Sequence, residues 1–324
     1  MQSGRMLSGI LFLFGGICGI LGRKCVKERS GKQMTKRSSR NQGILFILLS
    51  ALSFACMSAC VRLAGEVPTI QKSFFRNIVS LAVASFVLIR EKKGFRPDNP
   101  KNWPLLLARA FFGTAGLLAN FYALDHLLLA DANMLNKMSP FFAVLASYFI
   151  LKEKLNWVHA VSLAGAFLGV LFIVKPSFHN MLLGPSLVGL LGGLCAGVAY
   201  TLVRKLGTRG ERSSIIVFVF SAFSCLTALP FLIADFCPMT WKQTLFLLGA
   251  GVFASCGQFS ITAAYTHAPA REISVYDYSQ IIFSTLLGFC IFGDRPDLLS
   301  ILGYIIICLM AAINYSGNRK QCLR

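Results

Sequence analysis

The sequence predicts an all-α integral membrane protein of ten transmembrane helices, arranged as two inverted five-helix repeats. Three observations predict it. Hydrophobic residues make up 55% of the 324 positions and charged residues 14%, with a mean hydropathy of +0.65; a soluble domain carries about 25% charged residues. Ten apolar runs follow Asn41, each about 17–24 residues long, which suits a membrane helix rather than a barrel strand. Related segments also recur in the same order, 140 to 142 positions apart.

The runs are justified in turn by length and by what ends them. They cover 43–64, 73–89, 104–124, 129–151 and 157–174, then 184–203, 214–233, 243–264, 273–292 and 298–315. The connecting stretches are short and hold turn formers, as in "RPDNPKN", "KPSFHN" and "GDRPD". The fourth run closes on the charged "KEK" at 152–154, as expected where a helix reaches a membrane surface. No stretch is long enough for a soluble domain.

Residues 1–41 form a basic leader. Its apolar part, 6–22, is Gly-rich and is followed by "RKCVKERSGKQMTKRSSR". Three readings compete: an extra helix, a signal-like sequence, or a mis-assigned start with translation beginning at Met34. A signal peptide places its charges before the apolar run, where only Arg5 stands. "MTKRSSRNQGILF" already reads as a cytoplasmic N-terminus, which favours the later start.

The net charge of +19 does not indicate nucleic acid, because the basic residues sit in clusters between apolar runs. With the leader inside and the spans alternating, 23 Lys and Arg fall on the cytoplasmic side and 4 on the other. This predicts a multi-pass protein of the cell (inner or plasma) membrane with both termini cytoplasmic. The 11 cysteines form no CxxC pair and have no histidine at metal-ligand spacing, so neither a disulfide framework nor a metal is expected. The four histidines are dispersed, and no Walker loop or nucleophile set appears. The chain is expected to be no enzyme and to need no cofactor.

The internal repeat supplies the architecture. "LFILLSALSFACMSACVRLAG" at 45–65 matches "LVGLLGGLCAGVAYTLVRKLG" at 187–207. "FYALDHLLLADANMLNKMS" at 121–139 aligns with "ITAAYTHAPAREISVYDYS" at 261–279, and "FILKEKLN" at 149–156 with "FCIFGDRPD" at 289–297. The copies are assigned to 42–176 and 184–316, with a tail at 317–324. Five spans is an odd number, so the second copy enters the membrane upside down, as in many secondary transporters.

"SFFRN" in the second run, "RAFFG" opening the third and "FYAL" closing it, Ser139–Pro140 in the fourth and E-K-L before the fifth resemble the drug/metabolite transporter superfamily, EamA type. The likeness covers 42–316. The second copy departs from the pattern, with Gln280 where the first has Pro140 and Asp294 where it has Glu153. The resemblance implies a ten-helix inner-membrane carrier. It also implies a central cavity lined by the first four helices of each unit, with the fifth and tenth peripheral.

Five cations fall outside the loop clusters: Arg5, Arg62, Arg76, Arg109 and Lys137. Such groups within a span need a partner, water or a route to the headgroups. Arg62 and Arg109 lie near span ends and are expected as anchors. Arg76 either snorkels or points inward to hold an anionic group. Lys137 aligns with Asp277, giving isolated charges of opposite sign at equivalent places. They are expected to bridge the repeats directly, to meet charged groups of a substrate, with Asp277 a candidate for proton coupling, or to stand solvated at the rim of a wet cavity without a role. Asn120, Asn136, Tyr200, Gln258, Tyr276 and Gln280 complete the expected cavity; Tyr276 and Gln280 would share one helix face.

These features predict a secondary-active carrier working by alternating access on a small organic metabolite, an amino acid or related amine–carboxylate. A carrier of S-adenosylmethionine or nucleotide-type metabolites and a lipid-linked sugar flippase are the alternatives. The expected partners are the small-molecule substrate and the lipid bilayer, and a homodimer is compatible with the sequence.

Overall fold

The computed structural model describes residues 36–92, 94–126, 135–153, 157–174, 183–293 and 298–321. The leader before residue 36, including the 6–22 run and Met34, and also Asn133, lie outside them. The chain divides into Met1–Ser38 and Ser39–Arg324, and the fold belongs to the second unit.

The described residues contain no strand. The first copy holds α1 (Lys36–Ala64), α2 (Thr69–Glu91), α3 (Trp103–His126), α4 (Ser139–Leu151) and α5 (Trp157–Val174). The second holds α6 (Leu183–Thr208), α7 (Ser213–Ala234), α8 (Trp241–His267), α9 (Ala270–Phe292) and α10 (Leu298–Gln321). Among the described residues six helical segments are long and apolar enough to cross a membrane: Arg40–Ala64, α2, α6, α7, α8 and α9. Shorter apolar helices occupy Ser139–Leu151, Trp157–Phe172 and Ile301–Ser316. The protein is therefore a multi-pass membrane protein. Leu168, Phe172, Leu302 and Leu309 point outward from α5 and α10, where lipid tails rather than water suit them.

Two helices depart from the uninterrupted runs expected of them. Lys137 and Met138 form a turn just before α4. Pro140 follows in the first turn of α4, where a missing N–H costs no helical bond. α9 begins as one α-turn, tightens to a 3-10 helix over Ser274–Tyr278, returns to α at Ser279–Leu287 and ends as a π turn. Both helices finish on a left-handed residue at equivalent positions, Lys152 at φ 53° and Gly293 at φ 72°.

The copies interlock helix by helix. α1 runs antiparallel to α8: Gly43 abuts Ala268, the Ser50 hydroxyl donates to the Gly257 carbonyl at 3.0 Å, and Cys60 lies beside Gly249. α3 and α6 pair in the same sense, Ala123 meeting Gly189 and Ala119 meeting Gly192. So do α5 and α10, where His159 bonds Asn314 at 2.8 Å, Gly165 meets Met310 and Gly169 meets Gly303. α2 packs on α7 and α8, and α4 on α6. Close approach depends on missing side chains: a Cβ at Gly197 would fall 2.6 Å from the Ala143 nitrogen.

Candidate functional site

The turn before α4 sets Lys137 against the 3-10 segment of α9. Its Nζ donates to Gln280 Oε1 at 2.7 Å and lies 3.5 Å from Asp277 Oδ2. The Tyr278 hydroxyl donates to the Lys137 carbonyl at 3.2 Å. The two charged side chains are only 13% and 8% exposed, so each compensates a charge that burial would otherwise penalise heavily. Of the three arrangements open for this pair, the structure has the direct bridge. Asn136 sits half-buried in the preceding turn.

Tyr276 is a correction. Its hydroxyl donates to the Ala311 carbonyl on α10 at 3.3 Å, while Gln280 turns to Lys137. The same-face expectation assumed α-helical spacing. Through the 3-10 segment each residue advances by about 120° rather than 100°, which swings Tyr276 away from Gln280. Its neighbour Tyr278, fully buried, takes the place against Lys137.

Two further cations stand on α2 and α3, Arg76 and Arg109. Arg109 is 2% exposed, and its Nε and Nη1 are buried without a hydrogen-bond partner. Its guanidinium carbon lies 4.1 Å from the centre of the Phe220 ring on α7. It does not snorkel as expected. The reason is local: one turn on stands Gly113, and a Cβ there would collide with Arg109 Nη1, so the vacant side-chain position admits the head group. Arg62, by contrast, stays near the end of α1, stacked 4.1 Å from the Phe292 ring. The Nε of Arg76 is likewise buried and without a hydrogen-bond partner.

Tyr200 stacks on Tyr265 at 5.0 Å with the rings 9° from parallel. Gln258, 8% exposed on α8, keeps a buried Oε1 without a partner. Asn120 lies at the α3–α6 contact, its backbone against Gly192. Sequence reasoning missed Arg109, Tyr265 and Tyr278 as interior polar groups. An arginine with glycine four positions on, inside an apolar run, was the available signal for the first.

Polar ties close both ends of the bundle. At the end carrying the basic loops, Arg212 binds Glu91 at 3.1 Å and Asp98 at 3.2 Å, and Asn102 donates to Glu211 at 2.8 Å. At the other end Gln71 and Cys237 exchange two bonds, at 2.8 and 3.1 Å. A cleft lined by Pro68, Gln71, Phe231 and Asp235 opens there, and Lys137 is not part of its lining.

Comparison with known proteins agrees with this architecture. The EamA-like transporter family matches residues 41–175 and again 184–316. The pseudopaline exporter of Pseudomonas aeruginosa (strain UCBPP-PA14) is 33% identical over 280 residues, covering 86% of this chain and 97% of that protein. The riboflavin transporter of Vibrio cholerae is 28% identical over 298 residues, covering 87% and 96%. Human solute carrier family 35 member G1 is 26% identical over 315 residues, covering 93% and 85%. A solved crystal structure shares the fold with a TM-score of 0.72 at 16% identity, covering 84% of this chain and 98% of that one. The relatives are transporters and not enzymes, and this chain belongs to the EamA-like transporter family of the drug/metabolite transporter superfamily.

Proposed function

We propose that the protein is a secondary-active carrier that moves a small amine–carboxylate metabolite by alternating access. The observation that carries this reading is the contact between Lys137 and Asp277. They are equivalent positions of the two copies, and each sits at a break in its helix. Equivalent residues that touch must lie on the axis relating the copies. Carriers built from repeats place their site at such an axis, between discontinuous helices. The antiparallel course of α5 along α10 supports inverted rather than parallel copies, since equivalent helices of parallel copies would run the same way. Ten spans, with both termini on the cytoplasmic side of the cell membrane, fit the ten helical segments and the basic loops. Export is the favoured direction, because a relative 33% identical is named an exporter.

In operation, the basic-loop tie and the Gln71 tie would release in alternation, opening the Lys137–Asp277 region to one side at a time. Asp277 would exchange its ammonium partner for a substrate amine or a proton. Uptake of a labelled metabolite panel into proteoliposomes, with and without an imposed proton gradient, tests the reading. Saturable transport lost on Lys137→Ala supports it; absence of transport for every solute, or full transport by Lys137→Ala, removes it.

A further inference from the structure

The break in α9 is made without a proline. The first copy has Pro140 just past the Lys137 turn, and the equivalent position in α9 is Gln280. A 3-10 turn makes poorer hydrogen bonds than an α-turn, so the winding of Ser274–Tyr278 needs support from outside the helix. One support comes from α10. Asn314 is fully buried, and its Nδ2 donates to the Glu272 carbonyl, in the opening turn of α9, at 3.2 Å. Its Oδ1 meets Nδ1 of His159 on α5 at 2.8 Å. A carbonyl can only accept, and this fixes the amide: Nδ2 faces Glu272, Oδ1 faces the imidazole, and His159 carries a proton on Nδ1. His159 is itself 4% exposed, so its ring is held in place while it holds the amide. The arrangement is one-sided. The first copy has Ile173 and Val174 where the repeat spacing of 140 to 141 positions places Asn314. A buried amide is costly unless it is hydrogen-bonded, and this one stands in the copy whose break lacks the proline.

We infer that Asn314, oriented by His159, is a positioning residue for the candidate site: it anchors the entry of α9 to α10 so that the 3-10 turn keeps Asp277 against Lys137. The inference rests on the carrier reading above, in which that pair is the site. The anchor acts on the backbone five residues before Asp277, and its own side chains stay clear of the Lys137 contact. α5 and α10 thereby serve as the frame against which the tightened segment is wound, with the His159–Asn314 bond joining the two copies. Tyr276 adds a bond from within the 3-10 segment to Ala311 of α10, and Tyr276→Phe leaves the Asn314 anchor in place.

The test needs no transported solute. Purified full-length protein in detergent is pulsed with acetic anhydride, and acetylation of Lys137 is read by mass spectrometry against Lys205, a partly buried lysine on α6. Asp277 and Gln280 hold the Lys137 ammonium, so Asp277→Ala sets the signal for its release. Asn314→Leu removes both bonds of the amide. Asn314→Asp keeps an acceptor for His159 and loses the donor to Glu272. Both should raise Lys137 acetylation by about fivefold, the population change worth one neutral hydrogen bond, with Lys205 level. His159→Ala should follow them, whereas His159→Asn, which keeps a donor toward the amide, should stay near the wild type. A bond that merely joined α5 to α10 would lower the unfolding midpoint of Asn314→Leu and leave Lys137 protected. That result, a rise confined to Asn314→Leu, or an equal rise at Lys205 overturns the inference. If Asn314→Leu is not monodisperse, Asn314→Asp and the two His159 variants decide. Release of Lys137 in these variants, in a protein that transports no solute, keeps the anchor and removes the carrier. Lys137-dependent transport, with Lys137 still protected in the Asn314 variants, removes the anchor and leaves the carrier.

Discussion

Gln71 and Arg212, 141 positions apart, make the same bond at opposite ends of the molecule. Gln71 Nε2 donates to the Cys237 carbonyl at 2.8 Å, and an Arg212 amino group donates to the Arg96 carbonyl at 2.7 Å. The acceptors are also 141 positions apart. Each bond ties the start of one copy's second helix to the segment after the other copy's second helix. The length of α2, from Thr69 to Glu91, separates the two ties. They differ in chemistry: Arg212 adds ionic bonds to Glu91 and Asp98, whereas the Gln71 tie is neutral.

Arg212→Gln should therefore loosen the basic-loop end selectively. The lost charge-assisted bonds are worth about 1–3 kcal/mol in total. Hydrogen–deuterium exchange should rise at residues 94–102 and 209–213 and stay level around Cys237. Gln71→Ala should give the mirror result. Equal loosening at both ends in either variant would mean that the ties do not act separately.

The Lys137–Asp277 pair should behave as a coupled unit in a double-mutant cycle. Lys137→Ala leaves a buried carboxylate unmatched and Asp277→Ala a buried ammonium, each costing on the order of 3 kcal/mol. The double variant removes both charges and should recover about 1–3 kcal/mol relative to additivity. Detergent-solubilised thermal or denaturant unfolding measures this. Additive losses would mean that the 3.5 Å contact contributes nothing to stability.

Much of this was legible in the sequence, and the reasons for the misses are physical. The apolar runs and the repeat are patterns of composition, which burial in lipid enforces along helices. The alignment of Lys137 with Asp277 located a contact between residues 140 positions apart. What the sequence could not show was local winding. The 3-10 segment at Ser274–Tyr278 turned Tyr276 toward α10 and Tyr278 toward Lys137, and an α-helical wheel gives no warning of that. Arg109 was misread because distance from a span end says how far a side chain is from the headgroups, not which way it points. Its direction is set by Gly113 and Phe220, one on its own helix and one more than a hundred positions away.

Packing glycines should separate sharply by neighbourhood. Gly197→Ala places a Cβ 2.6 Å from both the Ala143 nitrogen and Phe142 Cβ. The backbone of α4 cannot yield as a flexible side chain would, so the variant should lose about 1–3 kcal/mol. Gly184, on the same helix α6, has nothing within 4 Å of its Cβ position. Gly184→Ala should be neutral or gain up to about 1 kcal/mol from helix propensity. Unfolding midpoints in one detergent compare the two; equal effects would remove the close-packing argument for α6.

The two tyrosines of the 3-10 segment give a transport test that leaves every charge in place. Tyr276 spends its hydroxyl on Ala311, at the α10 side, and Tyr278 spends its own on the Lys137 carbonyl. Replacing each by phenylalanine removes one hydroxyl and little volume. A neutral hydrogen bond is worth about 1 kcal/mol, and in Tyr278→Phe that loss falls on the turn that aims Lys137 at Asp277. Transport by Tyr278→Phe should drop by about fivefold, while Tyr276→Phe should transport normally and show at most a small fall in thermal stability. The reverse ranking would place the working face of α9 toward α10 and away from Lys137.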